Sequence, residues 1–277
     1  MKENYFLIKI KNIILGIFLI IFSLNTSSQT LIFEDFEDST VGYILKDESN
    51  GGTVFNEDIT EATVEDYFGR IRLSNLANPN TLNFSAFNGS SFFGANDYDG
   101  AASYPTTRDI VSINWNNITV PTSTTIKISS LIAEGDSDDG LEDWDVYDGM
   151  RAASIVRIQY SFNNINWFDV FSIVGDNTVV GLAEQTNAAP VLDSNNDNIG
   201  DVPKVVINET FANFEGTFET GGNTNVHIRI YMENLTGGDE DIAFDDFKVE
   251  VAAPTDVTPP TVSSITVNGS PTANATS

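Results

Sequence analysis

The sequence predicts an all-β fold, an antiparallel two-sheet jelly-roll sandwich, and three observations point there. Apolar residues almost nowhere recur at the spacing of an amphipathic helix. Short alternating or apolar runs recur instead between clusters of Asn, Asp, Gly and Ser, the pattern of strands separated by turns. The 19 Phe residues supply bulk for the wide space between two packed sheets.

Residues 1–28 read as a signal peptide. Lys2, Lys9 and Lys11 surround the approach to an apolar run over 13–22, and small polar residues follow. That run is about half of the roughly 20 residues that cross a bilayer. Thr26 and Ser28 provide the small residues expected before cleavage at Gln29. The remainder is expected to be secreted or displayed at the cell surface, with no membrane insertion after cleavage.

The exported part, 29–251, is expected to be one domain. Its clearest strand-like runs are 125–133, 154–162, 167–173, 226–232 and 241–251. In 226–232, Val226, Ile228, Ile230 and Met232 alternate with His227, Arg229 and Tyr231. A period of two sends the first set into the core and the second outward. The gap over 163–166 reads as a hairpin loop. Beyond it, 252–260 is a Pro/Thr linker, and 261–267 is one strand-like run expected to lack a partner. The run resembles the opening of a bacterial immunoglobulin-like module, which implies a sequence cut short.

Charge removes several function classes. There are 40 Asp and Glu against 13 Lys and Arg, one His and no Cys, for a net charge of −27. Losing three Lys and one Glu with the leader deepens this to −29. Phosphate binding needs a basic surface, so no nucleic-acid partner is expected. Without Cys there is no disulfide, thiolate metal site or thiol nucleophile. With His227 alone, a multi-histidine zinc site is impossible.

Ca²⁺ fits so acidic an exported chain. In the stretch 193–201, Asp193, Asn195, Asp197 and Asp201 place side-chain oxygens at alternate positions, and Ile199 can add its carbonyl. Hard Ca²⁺ takes six to eight such oxygens. Gly200 is expected to help the chain bend. Position six is Asn198 rather than Gly and position twelve is Lys204 rather than Glu, so the loop departs from an EF-hand. A second acidic stretch, 135–149, carries Trp144 and Tyr147, which can stack on a sugar or pin the loop to the sandwich; pinning is the favoured reading. A third constellation joins the ends: "FEDFED" opens the domain at 33–38 and "IAFDDF" closes it at 242–247. If the first and last strands are neighbours, Asp35 or Glu37 faces Asp245 or Asp246.

Read together, these terminal motifs resemble the MAM and laminin-G-like jelly rolls. So do "GSSFFGANDYDG" (89–100), "EDWDVYDGMRAASIVRIQYSFNNINW" (142–167) and "DSNNDNIGD" (193–201). The resemblance covers roughly 31–251. It implies paired terminal strands and a structural cation at Asp35, Glu37 and Asp246. The cysteines of animal MAM domains are missing here. The function expected is a non-catalytic binding or adhesion module for an extracellular glycan or surface polymer. The alternatives are a polysaccharide-degrading enzyme on the same scaffold, or a spacer for a downstream domain.

Overall fold

The structure, a computed structural model, describes residues 28–37, 42–59, 66–75, 84–98, 109–135, 144–146, 153–176, 188–236 and 240–253, together with the backbone of 265–267 and 270–272. Residues 1–27 of the signal-peptide stretch and 254–260 of the linker lie outside these residues, as do Asp38, Tyr147 and most of the 135–149 loop. Ser28–Ala252 forms one compact unit.

Thirteen strands build that unit among the described residues: β1 (Gln29–Glu34), β2 (Ile44–Asp47), β3 (Thr53–Phe55), β4 (Tyr67–Ile71), β5 (Phe92–Asn96), β6 (Ile110–Thr119), β7 (Thr125–Ala133), β8 (Ile155–Ser161), β9 (Phe168–Gly175), β10 (Pro190–Asp193), β11 (Ala212–Glu219), β12 (Asn225–Glu233) and β13 (Asp241–Val251). One 3-10 turn, Leu73–Asn75, is the sole helical element described. A six-stranded sheet runs β11-β7-β13-β5-β4, with β1 beside β13. A seven-stranded sheet runs β10-β9-β8-β12-β6-β2-β3. All their strand pairs are antiparallel.

The first and last strands are neighbours, as the paired motifs require: Gln29 lies opposite Val251 and Glu34 opposite Phe247. On β13 the alternation slips. Ile242 and Phe244 point into the core, and so do Phe247 and Val249. A bulge between Asp245 and Lys248 absorbs the extra residue, with Asp246 at φ 47°. Asp tolerates that left-handed conformation better than a bulky residue would. The reset brings Phe247 onto Trp115 of the facing sheet, rings parallel with centroids 4.1 Å apart. Val226, Ile228, Ile230 and Met232 are buried there too, as their alternation predicts.

The two outer faces differ. Part of the outer six-stranded face is roofed by a second apolar cluster, in which Phe84, Phe87 and Phe211 close over Phe92. Backbone bonds hold that roof together: Ser85 N–H donates to Glu209 O and Phe211 N–H to Ser85 O. The outer face of the seven-stranded sheet carries polar and aromatic side chains around β12.

Outside the domain, Ile265–Val267 (β14) pairs with Ser270–Thr272 (β15) in an antiparallel hairpin. This corrects the expectation of a partnerless strand. The reason is legible in the sequence: Asn-Gly between two short runs favours a two-residue return.

Candidate functional site

The alternation of β12 turns His227, Arg229, Tyr231 and Glu233 outward, all half-buried. Strand pairing sets their neighbours. Arg229 lies between Gln159 on β8 and Asn114 on β6, and Tyr231 lies between Arg157 and Ser112. The Arg229 guanidinium sits 4.1 Å from the Trp167 ring centre and 4.4 Å from that of Tyr231. Each such contact contributes about 0.5–2 kcal/mol, more as water is excluded. Arg229 Nε donates to Gln159 Oε1 at 2.6 Å and Nη1 to Glu48 Oε1 at 3.3 Å. Gln159 in turn donates to Asp169 at 2.5 Å, and Ser112 to Glu48 at 2.7 Å. Burial lowers the Arg229 pKa, opposed by the Glu48 charge, and burial raises that of the Tyr231 phenol. The platform is therefore held rigid by its own bonds, with aromatic rings and polar edges on one face. His227 stands beside it, its Nδ1 3.1 Å from Asn116 Oδ1, with its pKa lowered by burial and by Lys46.

Past Tyr231 the same face deepens into a cleft of about 490 Å³. Ile155, Val174 and Ala153 give it an apolar floor, and Asp145, Arg157, Asn198, Glu233 and Asn234 give it a polar rim. Arg157 joins platform and cleft: it reaches Asp169 at 3.3 Å and Asn198 Oδ1 at 2.9 Å. At Gly175 an added Cβ would lie 3.1 Å from Val146 and 3.2 Å from Asp145 O, so glycine lets one wall approach β9.

Asn198 on the cleft rim belongs to the 193–201 loop, in which four of the predicted ligands turn to the loop's own backbone. Asp193 is fully buried and accepts from Asn198 N–H at 2.8 Å, Asp197 N–H at 3.3 Å and Ser172 Oγ at 3.1 Å. Asn195 accepts from Asp197 N–H, Asp197 from Ile199 N–H, and Asp201 from Ser194 N–H. The Ile199 side chain is half exposed. The bend comes from Asn196 and Asn198, at φ 60° and 63°. Gly200 has another role: a Cβ there would sit 2.4 Å from Val191.

The terminal acids converge on the loop over 88–91. Glu37 accepts from Ser90 N–H at 2.6 Å and Ser91 N–H at 2.7 Å. Burial raises its pKa, but these bonds outweigh it and hold Glu37 below the usual carboxylate range. Asp246 accepts from the Asn88 side chain. Asp35 turns instead to its own chain, accepting from Glu37 N–H at 3.2 Å. Among the described residues, no three His, Cys, Asp or Glu side chains form a group that could hold a metal ion.

Trp144 is fully buried in the main core and does pin its loop, with Trp144 N–H bonded to Ala188 O. It offers no face to a sugar. The aromatic that faces the platform is Trp167, which sits just ahead of β9 although the sequence reads the run 167–173 as strand, and whose neighbours the sequence does not reveal. Gln159, Asp169, Arg157 and Glu48 went unread because they meet only through cross-strand register.

No family model matches the chain, and no curated protein matches it. Solved structures with similar folds include a cyclase from Fischerella sp. TAU, at 13% identity over 82% of this chain and 98% of that one, TM-score 0.44. Another is the CBM22-1 xylan-binding domain of a Paenibacillus barcinonensis protein, at 9% identity over 83% and 98%, TM-score 0.35. A third is the K2 cleaved adhesin domain of Lys-gingipain, at 14% identity over 79% and 96%, TM-score 0.37. These likenesses assign the chain to none of those families.

Asp245 gives a pH test of the terminal lock. It is fully buried, and burial pushes its carboxyl up to about 7, although Asn88 N–H and Asp246 N–H bond it and favour the charge. The charges of Asp246 and Glu37 push it further up. A carboxyl raised on folding stabilises the fold fully below its unfolded pKa, about 4, and loses that contribution as pH rises through its folded value. Carboxyl ¹³C shifts should show Asp245 titrating near 7, and Asp245→Asn should flatten stability between about pH 4 and 7. Titration at the ordinary value of about 4 would refute the assignment.

Proposed function

We propose that the outer face of the seven-stranded sheet is a non-catalytic binding surface for an extracellular glycan or surface polymer. The observation that carries this reading is Arg229, clamped between Trp167 and Tyr231 and braced by Gln159 and Glu48. A polymer needs rigid aromatic contact with hydrogen-bonding groups at its edges, and preorganised side chains lose little entropy on binding. The carboxyl pushed up to about 7, Asp245, belongs to the six-stranded sheet and serves the terminal lock. It contributes no acid to this face.

A screen of the purified chain against a panel of polysaccharides, with product analysis, tests the reading. Binding without cleavage is expected. Trp167→Ala should weaken it by about 2 kcal/mol, roughly thirtyfold in Kd, as central aromatic anchors do. Phe33→Ala, at an exposed position on the six-stranded sheet, should leave it unchanged. Equal effects of the two variants would remove the platform from the function.

Ca²⁺ is part of this proposal: its binding draws the side chains of Asp193, Asn195, Asp197 and Asp201 and the Ile199 carbonyl together from the loop's own N–H groups onto the ion, and so steadies the loop that carries Asn198 beside the cleft. A cation that binds only the folded chain stabilises it by about 2.7 kcal/mol at a hundredfold excess over Kd. Millimolar calcium should raise Tm beyond NaCl of equal ionic strength. Asp197→Ala with Asp201→Ala, which spares the buried Asp193, should abolish that difference. If calcium and matched NaCl act alike on the wild-type chain, the loop holds no specific cation and its acids are solvated.

A further inference from the structure

The cleft beyond the platform has a charge pattern that the platform lacks. Among the described residues that line it, two carboxylates, Asp145 and Glu233, stand against one guanidinium, Arg157. That guanidinium is already engaged by Asp169 at 3.3 Å and Asn198 at 2.9 Å. Glu233 is half-buried on the outward row of β12, and its side chain makes no hydrogen bond or ion pair among the described residues. Strand pairing sets Ile155 directly beside it and Val174 next in the same row, 8% and 3% exposed. A half-buried carboxylate bordered by apolar side chains gains from a cationic partner that displaces little else. The chain's own charge of −27 raises the local concentration of cations and disfavours an acidic ligand.

We propose that this cleft is a subsite for a protonated amine carried on a sugar ring. The ring's C–H face packs on Ile155 and Val174, its ammonium pairs with Glu233, and Asn198 and Asn234 meet its hydroxyls. The ligand class is thereby an amine-bearing glycan with unacetylated hexosamine units. This rests on the proposal that the adjoining platform binds glycans, and it names the chemical class.

The probe is a β-1,4-linked glucosamine hexamer, compared by calorimetry with its N-acetylated form and with the corresponding glucose hexamer. The wild-type chain should prefer the free amine by about tenfold, the scale of one partly desolvated charge pair. Glu233→Gln should bring that ratio close to one. Glu219→Gln removes the same charge from an exposed position on β11 of the other sheet and should preserve the ratio. Comparable losses in the two variants would mean general attraction of a polycation to an acidic protein, and would overturn the subsite. So would equal affinity of the wild-type chain for all three hexamers, though glycan binding would then stand. Failure of every hexamer and every polysaccharide to bind would overturn the platform reading along with the subsite. A melting curve for Glu233→Gln matching the wild type keeps the comparison clear of folding defects.

Discussion

The pairing register of β12 is the constraint on which both the core and the proposed binding face depend. Its side chains alternate with a period of two, so one set packs inside and the other outside. A slip of one residue would send Arg229, Tyr231 and Glu233 into the core and expose Ile228, Ile230 and Met232. That exchange would bury a guanidinium and a carboxylate without partners, a penalty of several kcal/mol per ion. The register is fixed from both sides, by β8 and by β6. Because β12 is central in its sheet, the same register aligns Gln159, Arg157, Ser112 and Asn114 around the outward row. Core formation thus assembles the platform.

The opposite sheet spends its outer face differently. Phe84, Phe87, Phe92 and Phe211 make a local apolar roof, and Gly94 lets Ile71 and Tyr67 of the same cluster close in, since a Cβ there would lie 2.6 Å from Ile71 and 2.8 Å from Tyr67. The loop over 88–91, next to this roof, is tied down by Glu37, Asp245 and Asp246. The terminal acids therefore act as backbone acceptors that join the chain's two ends. Elsewhere on that sheet Lys127 pairs with the exposed Glu215, a contact that contributes little, and with the buried Glu250, whose pKa the bonds from Lys127 and Lys248 lower despite its burial. Among the described residues, the seven-stranded face sets preorganised aromatic and polar groups around Arg229 and opens into a cleft.

Much of the scaffold was legible in the sequence, and for local reasons. The runs 125–133 and 241–251 match β7 and β13, and the 163–166 hairpin separates β8 from β9. Alternation over 226–232 gave both faces of β12. The pairing of terminal motifs followed from their shared acidic and aromatic composition. The short strands β2, β3, β4 and β10 were illegible, since three to five residues carry too little pattern. β6 and β11 escaped too: polar residues interrupt the first, and the second is an edge strand with only Phe214 and Phe218 buried. The site was half visible. Arg229 and Tyr231 could be placed outward, but Gln159 and Asp169 on β8 and β9, and Trp167 and Glu48 at the ends of β9 and β2, reach them through a register that no local pattern encodes. Trp144 shows the converse: an aromatic in an acidic loop looks available for stacking, yet core packing takes it entirely.

The most direct test is to map a bound oligosaccharide by side-chain and backbone NMR, using whichever hexamer the chain binds. Shifts confined to the Trp167 indole N–H, the Arg229 and Arg157 guanidinium N–H groups and the backbone of β12 and β8 are the predicted result. Perturbation centred instead on Phe33, Lys127 and Lys248 of the six-stranded sheet, with the Trp167 and Arg229 signals unmoved, would contradict the account.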